Sequence, residues 1–151
     1  MITKISSLRA LVRVSCVLLS AALFGACGGD TPTSPAPVFS QTDLRAGTGA
    51  AAVAGNRISV FYTGWIYDAA RPDQKGLQFE TNVGAETPFT FTLGNGNVIQ
   101  GWDNGIVNQR VGGLRRLVIP PSLAYGNFRN GPIPAGASLV FEVELISIET
   151  E

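Results

Sequence analysis

The sequence predicts an α+β domain in which an antiparallel β-sheet packs against one short α-helix. Two patterns carry this expectation. Apolar residues recur at every second position in four separate stretches, and in a single stretch they recur at helical spacing. A sheet with one apolar face and a helix with one apolar stripe each need a partner to bury them, and each satisfies the other.

In the first stretch Ile58, Val60 and Tyr62 share a face while Arg57, Ser59 and Thr63 take the other; Phe61 and Trp65 blur the alternation. Phe89, Phe91 and Leu93 alternate with Thr90 and Thr92. Leu117 and Ile119 alternate with Arg116 and Val118, and Leu139, Phe141, Val143 and Leu145 alternate with a face that includes Glu142 and Glu144. These read as half-buried strands of an antiparallel sheet. Within residues 98–109, Ile99, Trp102 and Ile106 mark a short amphipathic helix, limited by Gly101, Gly105 and the Gly112-Gly113 turn.

Two long connections remain. Residues 68–76 are charged and expected to be solvated. Residues 120–137 are rich in proline and glycine yet carry Tyr125, Phe128 and Ile133. Structureless loops beyond ~12–15 residues are uncommon unless functional or disordered, and the apolar side chains favour function here. Gly94-Asn95-Gly96 reads as a turn between strand and helix, because Ile99 stands where a dinucleotide fingerprint needs its third glycine and no βαβ unit surrounds it.

Composition removes several chemistries. There is no histidine, which excludes histidine general acid/base catalysis, Ser-His-Asp triads and imidazole zinc sites. Cys16 and Cys27 lie in or beside the N-terminal apolar segment, so no disulfide scaffold is available to the folded part. No metal site and no cofactor are expected.

Lys4, Arg9 and Arg13 precede an uncharged run over residues 14–26 that is short for a membrane span, the layout of an export signal over residues 1–26. The run ends in Leu23-Phe24-Gly25-Ala26-Cys27, which resembles the lipobox of bacterial lipoproteins and implies lipidation of Cys27. A plain signal peptide with an incidental cysteine, or an uncleaved anchor, would show the same charge and hydropathy. Each buried acyl methylene contributes ~0.8 kcal/mol and one chain holds only marginally, whereas several hold firmly. Residues 27–37, without large apolar side chains and rich in Pro and Gly, read as an extended tether, leaving 38–151 as the folded domain. Losing the three leader cations leaves eight basic against eleven acidic residues, so no basic patch suggests nucleic acid.

Tyr62-Thr63-Gly64, Val98-Ile99-Gln100-Gly101-Trp102, Ala124-Tyr125-Gly126 and the run from Leu139 to Leu145 resemble, in order and spacing, the FKBP-type peptidyl-prolyl cis-trans isomerases. The resemblance covers roughly residues 42–149. It implies an antiparallel sheet curved around the helix, with Trp102 at the floor of a pocket and Tyr62, Phe79, Phe89, Val98, Ile99, Ile133 and Phe141 as walls. It also implies a Tyr125 hydroxyl at the rim, a carboxylate at Glu80, and an Ile99 N–H that donates to a substrate carbonyl. Implied partners are proline-containing segments of exported proteins and macrolide-type inhibitors. Gly28 after Cys27 resembles lipoproteins sent onward, which places the protein in the cell envelope, on the periplasmic side of an outer membrane where the source has one.

An apolar pocket suits this reaction. Peptide-bond rotation faces a barrier of ~18–20 kcal/mol from amide resonance, and X-Pro exchange takes tens to hundreds of seconds unaided. The twisted state has lost that resonance and its charge separation, so it sheds water at less cost than the planar amide. Without that family pattern the same aromatics would read as core filling on period-appropriate faces, and Phe91 is expected to remain core.

The chain departs from the family at two places. Glu80 stands where aspartate is usual, and Ala85 where an arginine often pairs with that carboxylate, leaving the carboxylate without its expected partner. The loop after Tyr125 is about one residue shorter, with Pro132 before Ile133. Beside the isomerase reading stand a non-catalytic chaperone-like module that holds proline-containing segments, and a purely structural envelope protein.

Overall fold

The structure, a computed structural model, describes residues 35–149. The export segment, Cys27 and the tether up to residue 34 lie outside the described residues. Strands β1 (Ser40–Arg45), β2 (Arg57–Tyr67) and β3 (Lys75–Thr81) precede β4 (Phe89–Thr92). Helix α1 (Gln100–Gly105) comes next, followed by β5 (Leu114–Ile119), a 3₁₀ turn at Pro121–Leu123 and β6 (Leu139–Glu149). All pairings are antiparallel, in the order β1-β5-β6-β2-β3, with β4 also paired to β2.

The period-two stretches become β2, β4, β5 and β6. Their inward positions Ile58, Val60, Leu117, Ile119, Leu139, Val143 and Leu145 are fully buried and form the core with Trp102 and Ile106. The other face is not bare, since Val118 and Val140 are also buried there.

Helix α1 is shorter than the residues 98–109 its spacing suggested, and Gly101 and Gly105 lie inside it rather than limiting it. One turn apart, they form its contact face. A Cβ on Gly101 would stand 2.5 Å from Ile119 Cγ2, and one on Gly105 would stand 2.6 Å from Leu117 Cδ2. Their small size brings the helix backbone down onto β5 and Trp102 into the core. Buried Arg115 fixes the other end of the helix: its Nη1 donates to the carbonyls of Gly105 (2.9 Å) and Val107 (3.0 Å), and its Nε and Nη2 pair with Asp43 of β1.

Strands β1 and β3 were not visible in the apolar pattern. β1 is exposed along its whole length, and β3 begins at Lys75, inside the stretch expected to be solvated. There Lys75 lies 4.3 Å over the Trp65 ring and pairs with Glu142, while Arg116 donates to the Asp73 carbonyl. The connection after β5 is also structured, with Ile133 bonded in both directions to Asn130 and Gly136 N–H donating to the Gly126 carbonyl (2.8 Å).

Candidate active site

The site forms where β2 changes partner. β2 pairs with β4 up to Val60 and with β3 from Thr63. In the gap the Asn82 side chain takes over, accepting from Tyr62 N–H (2.6 Å) and donating to the Val60 carbonyl (3.1 Å). The edge of β2 therefore stays satisfied while β3 and β4 part, and Tyr62 projects between them.

A bulge in β3 supplies the next wall. Gly64 opposes Glu80 but Trp65 opposes Gln78, so Phe79 has no partner of its own. Extra residues of this kind re-aim side chains. Phe79 meets Phe141 edge-on at 5.6 Å and backs that wall, while its neighbour Glu80 faces the hollow itself. Gly64 leaves room for both rings: a Cβ there would stand 2.6 Å from Phe79 Cζ and 2.8 Å from Phe141 Cε1.

Trp102 forms the floor. It meets Tyr62 at 4.9 Å and Phe141 at 5.2 Å, both nearly perpendicular, and Phe89 at 6.4 Å. Edge-to-face pairs match ring edge to ring face and hold the cup rigid. Its indole Nε1 is buried without a hydrogen-bond partner among the described residues.

The third side comes from the turn before α1. Asp103 accepts from Gly94 N–H (2.8 Å) and Gly96 N–H (3.0 Å), tying the turn to the helix and setting the position of Val98 and Ile99. Ile99 is the helix N-cap with extended backbone, and its N–H has no partner among the described residues. Tyr125, from the loop after β5, completes the rim. Together these groups enclose a hollow of about 190 Å³ that Asn97 also lines.

Burial raises the pKa of both tyrosines, and the Glu80 carboxylate pushes each further in the same direction; at Tyr125 the Asn130 side chain partly offsets this. Both phenols are therefore neutral donors at physiological pH. Glu80, which has Ala85 in place of the arginine usual in the family, stands beside the Tyr62 hydroxyl.

The family model for the FKBP-type peptidyl-prolyl cis-trans isomerase matches residues 49–146. The chain belongs to this family. An FK506-binding protein of Neisseria meningitidis serogroup B is 42% identical over 107 residues, which is 70% of this chain and 92% of that protein. FK506-binding protein 2B of Rhizopus delemar is 49% identical over 96 residues, 63% of this chain, but the chain spans only 43% of that relative. Among solved structures, AtFKBP13 has a TM-score of 0.61 at 32% identity, covering 74% of this chain and 93% of its own. FkpA from Escherichia coli has the same TM-score at 34% identity, covering 74% and 48%.

Against the FKBP-type expectation, the hollow gathers Tyr62, Glu80, Phe89, Val98, Ile99, Trp102, Tyr125 and Phe141. Two expected wall residues stand back from it: Phe79 supports Phe141 from behind, and Ile133 is buried among the core residues. Phe128 points to solvent, 80% exposed. Sequence reasoning did not find Asn82 or Asp103, whose partners are backbone groups brought close only by the tertiary fold.

Proposed function

We propose that this protein accelerates X-Pro bond rotation in exported proteins from a lipid-anchored position in the cell envelope. One observation carries the catalytic part: a ring-lined hollow floored by Trp102 has a free backbone donor, Ile99 N–H, at its side. The proline ring sits on Trp102, and the apolar walls replace water around the amide. Because the twisted amide carries less charge separation than the planar one, this environment favours it, and fixed donors orient it without proton transfer. Trp102, Tyr62, Phe141 and Phe89 shape the cup with Val98, while Tyr125 and Ile99 N–H supply donors. Phe79 and Ile133 support the walls, and Glu80 orients the Tyr62 phenol.

The leader pattern and Cys27 support the anchor on the periplasmic side of an outer membrane where one exists. The FK506-binding relatives support macrolide-type binding in the same hollow. A protease-coupled proline isomerisation assay tests the activity; binding of a proline peptide without acceleration would favour the chaperone-like module. Fatty-acid labelling and fractionation of wild type against Cys27→Ala tests the anchor, which fails if both forms distribute alike and neither is labelled.

A further inference from the structure

Val98 lines both the aromatic cup and a second, wider hollow beside α1, bordered by Gln100, Asp103, Asn104 and Val107. Gln100 and Asn104 are four residues apart, on one helix face, and exposed. Their side-chain amides make no hydrogen bond to another described residue. Asp103 is the one ionisable side chain that lines this hollow, and Ala54, Gly94 and Gly96 border it with no side chain larger than a methyl.

The direction of the substrate follows from the reaction. The carbonyl of the residue before proline must swing through half a turn about the C–N bond, so a fixed donor cannot hold it throughout. The carbonyl of proline itself does not move relative to the ring. Ile99 N–H therefore suits the prolyl carbonyl, and the chain that leaves it passes next to Val98. We propose that the second hollow is a subsite for the residues following proline, selecting amide-binding and basic side chains there over acidic ones. This rests on the isomerase reading. Gln100 and Asn104 bond the peptide backbone or polar side chains, and the Asp103 carboxylate attracts a lysine or arginine and repels an acidic residue.

Three capped peptides test it on the isotope-labelled full chain: one ending at proline, and two continuing four residues with either lysine or glutamate. The extended peptides are expected to shift the backbone amides of Gln100, Asn104 and Val107, which the short one leaves in place. The lysine form is expected to bind about two- to fivefold more tightly than the glutamate form, the scale of a partly exposed ion pair. Gln100→Lys with Asn104→Lys should abolish or invert that ratio while leaving exchange in the short peptide unchanged. Unmoved amides with the extended peptides, or the same ratio in the double variant, would overturn the subsite. Loss of rate enhancement on all three peptides with the extension-specific shifts retained would overturn the isomerase reading alone.

Discussion

Phe79 lies directly over Gly64, so close that a Cβ there would stand 2.6 Å from Phe79 Cζ. The glycine is required by packing, since both Phe79 and Phe141 occupy the space a side chain would fill. Gly64→Ala is expected to lower stability by ~1–3 kcal/mol, the usual cost of overpacking. It should also reduce isomerase activity by displacing Phe141 from the wall. Denaturant midpoints and proline-exchange rates check this, and Phe79→Leu in the same chain should restore part of the stability. A fully stable, fully active Gly64→Ala protein would show that the rings relax freely.

That contact also shows where the sequence was legible. β2, β4, β5 and β6 turn most of their apolar side chains to one face, so the alternation of Ile58 with Ser59, or Phe141 with Glu142, records that face even though Val118 and Val140 are buried on the other. β1 buries neither face, and Ser40, Gln41, Thr42 and Asp43 leave no apolar period. In β3 the bulge at Phe79 breaks the period just beside Glu80, the residue of this strand that faces the hollow. The cup was legible only through its resemblance to a family, because Tyr62, Phe89 and Trp102 look the same from spacing alone whether they fill a core or line a pocket. Arg115, Asn82 and Asp103 bind backbone atoms far off in sequence, and no local pattern announces such partners.

Asp103 offers a direct test of how the turn before α1 is held. Asp103→Asn keeps one acceptor but turns an amide donor toward Gly94 or Gly96 N–H. The loss should be about 1–3 kcal/mol of local stability, as for a charge-assisted hydrogen bond. Hydrogen exchange at Gly94 and Gly96 is expected to speed up, and kcat/KM to fall because Val98 and Ile99 lose their fixed position. Unchanged exchange at both glycines would mean that the carboxylate does not hold the turn.

Stability at high pH depends on Tyr62. Its folded pKa is raised above the unfolded value of about 10, chiefly by burial. The folded phenol thus keeps a proton that the unfolded chain gives up, and the stability this contributes is present below pH ~10 and lost as pH rises through the folded pKa. Tyr125 acts in the same sense. Urea midpoints are expected to decline as pH rises past ~10, and the decline should be shallower in Tyr62→Phe. Equal slopes in both proteins would assign the alkaline loss to other groups.

Glu80 and Trp102 separate a charge-based mechanism from one based on desolvation. Glu80 has no ion-pair partner among the described residues, and the carboxylate serves mainly as a neighbour to the Tyr62 hydroxyl. Removing its charge forfeits about one hydrogen bond, ~0.5–1.5 kcal/mol, so Glu80→Gln should lower kcat/KM by at most about tenfold. Trp102→Leu removes the floor and three edge-to-face contacts, each ~0.5–1.5 kcal/mol, together with the surface on which the proline ring rests. Its rate loss should be the larger, measured where circular dichroism shows both variants folded. Should Glu80→Gln abolish exchange while Trp102→Leu stays near wild type, the twisted amide would be stabilised by the carboxylate, and the apolar cup would serve only to bind.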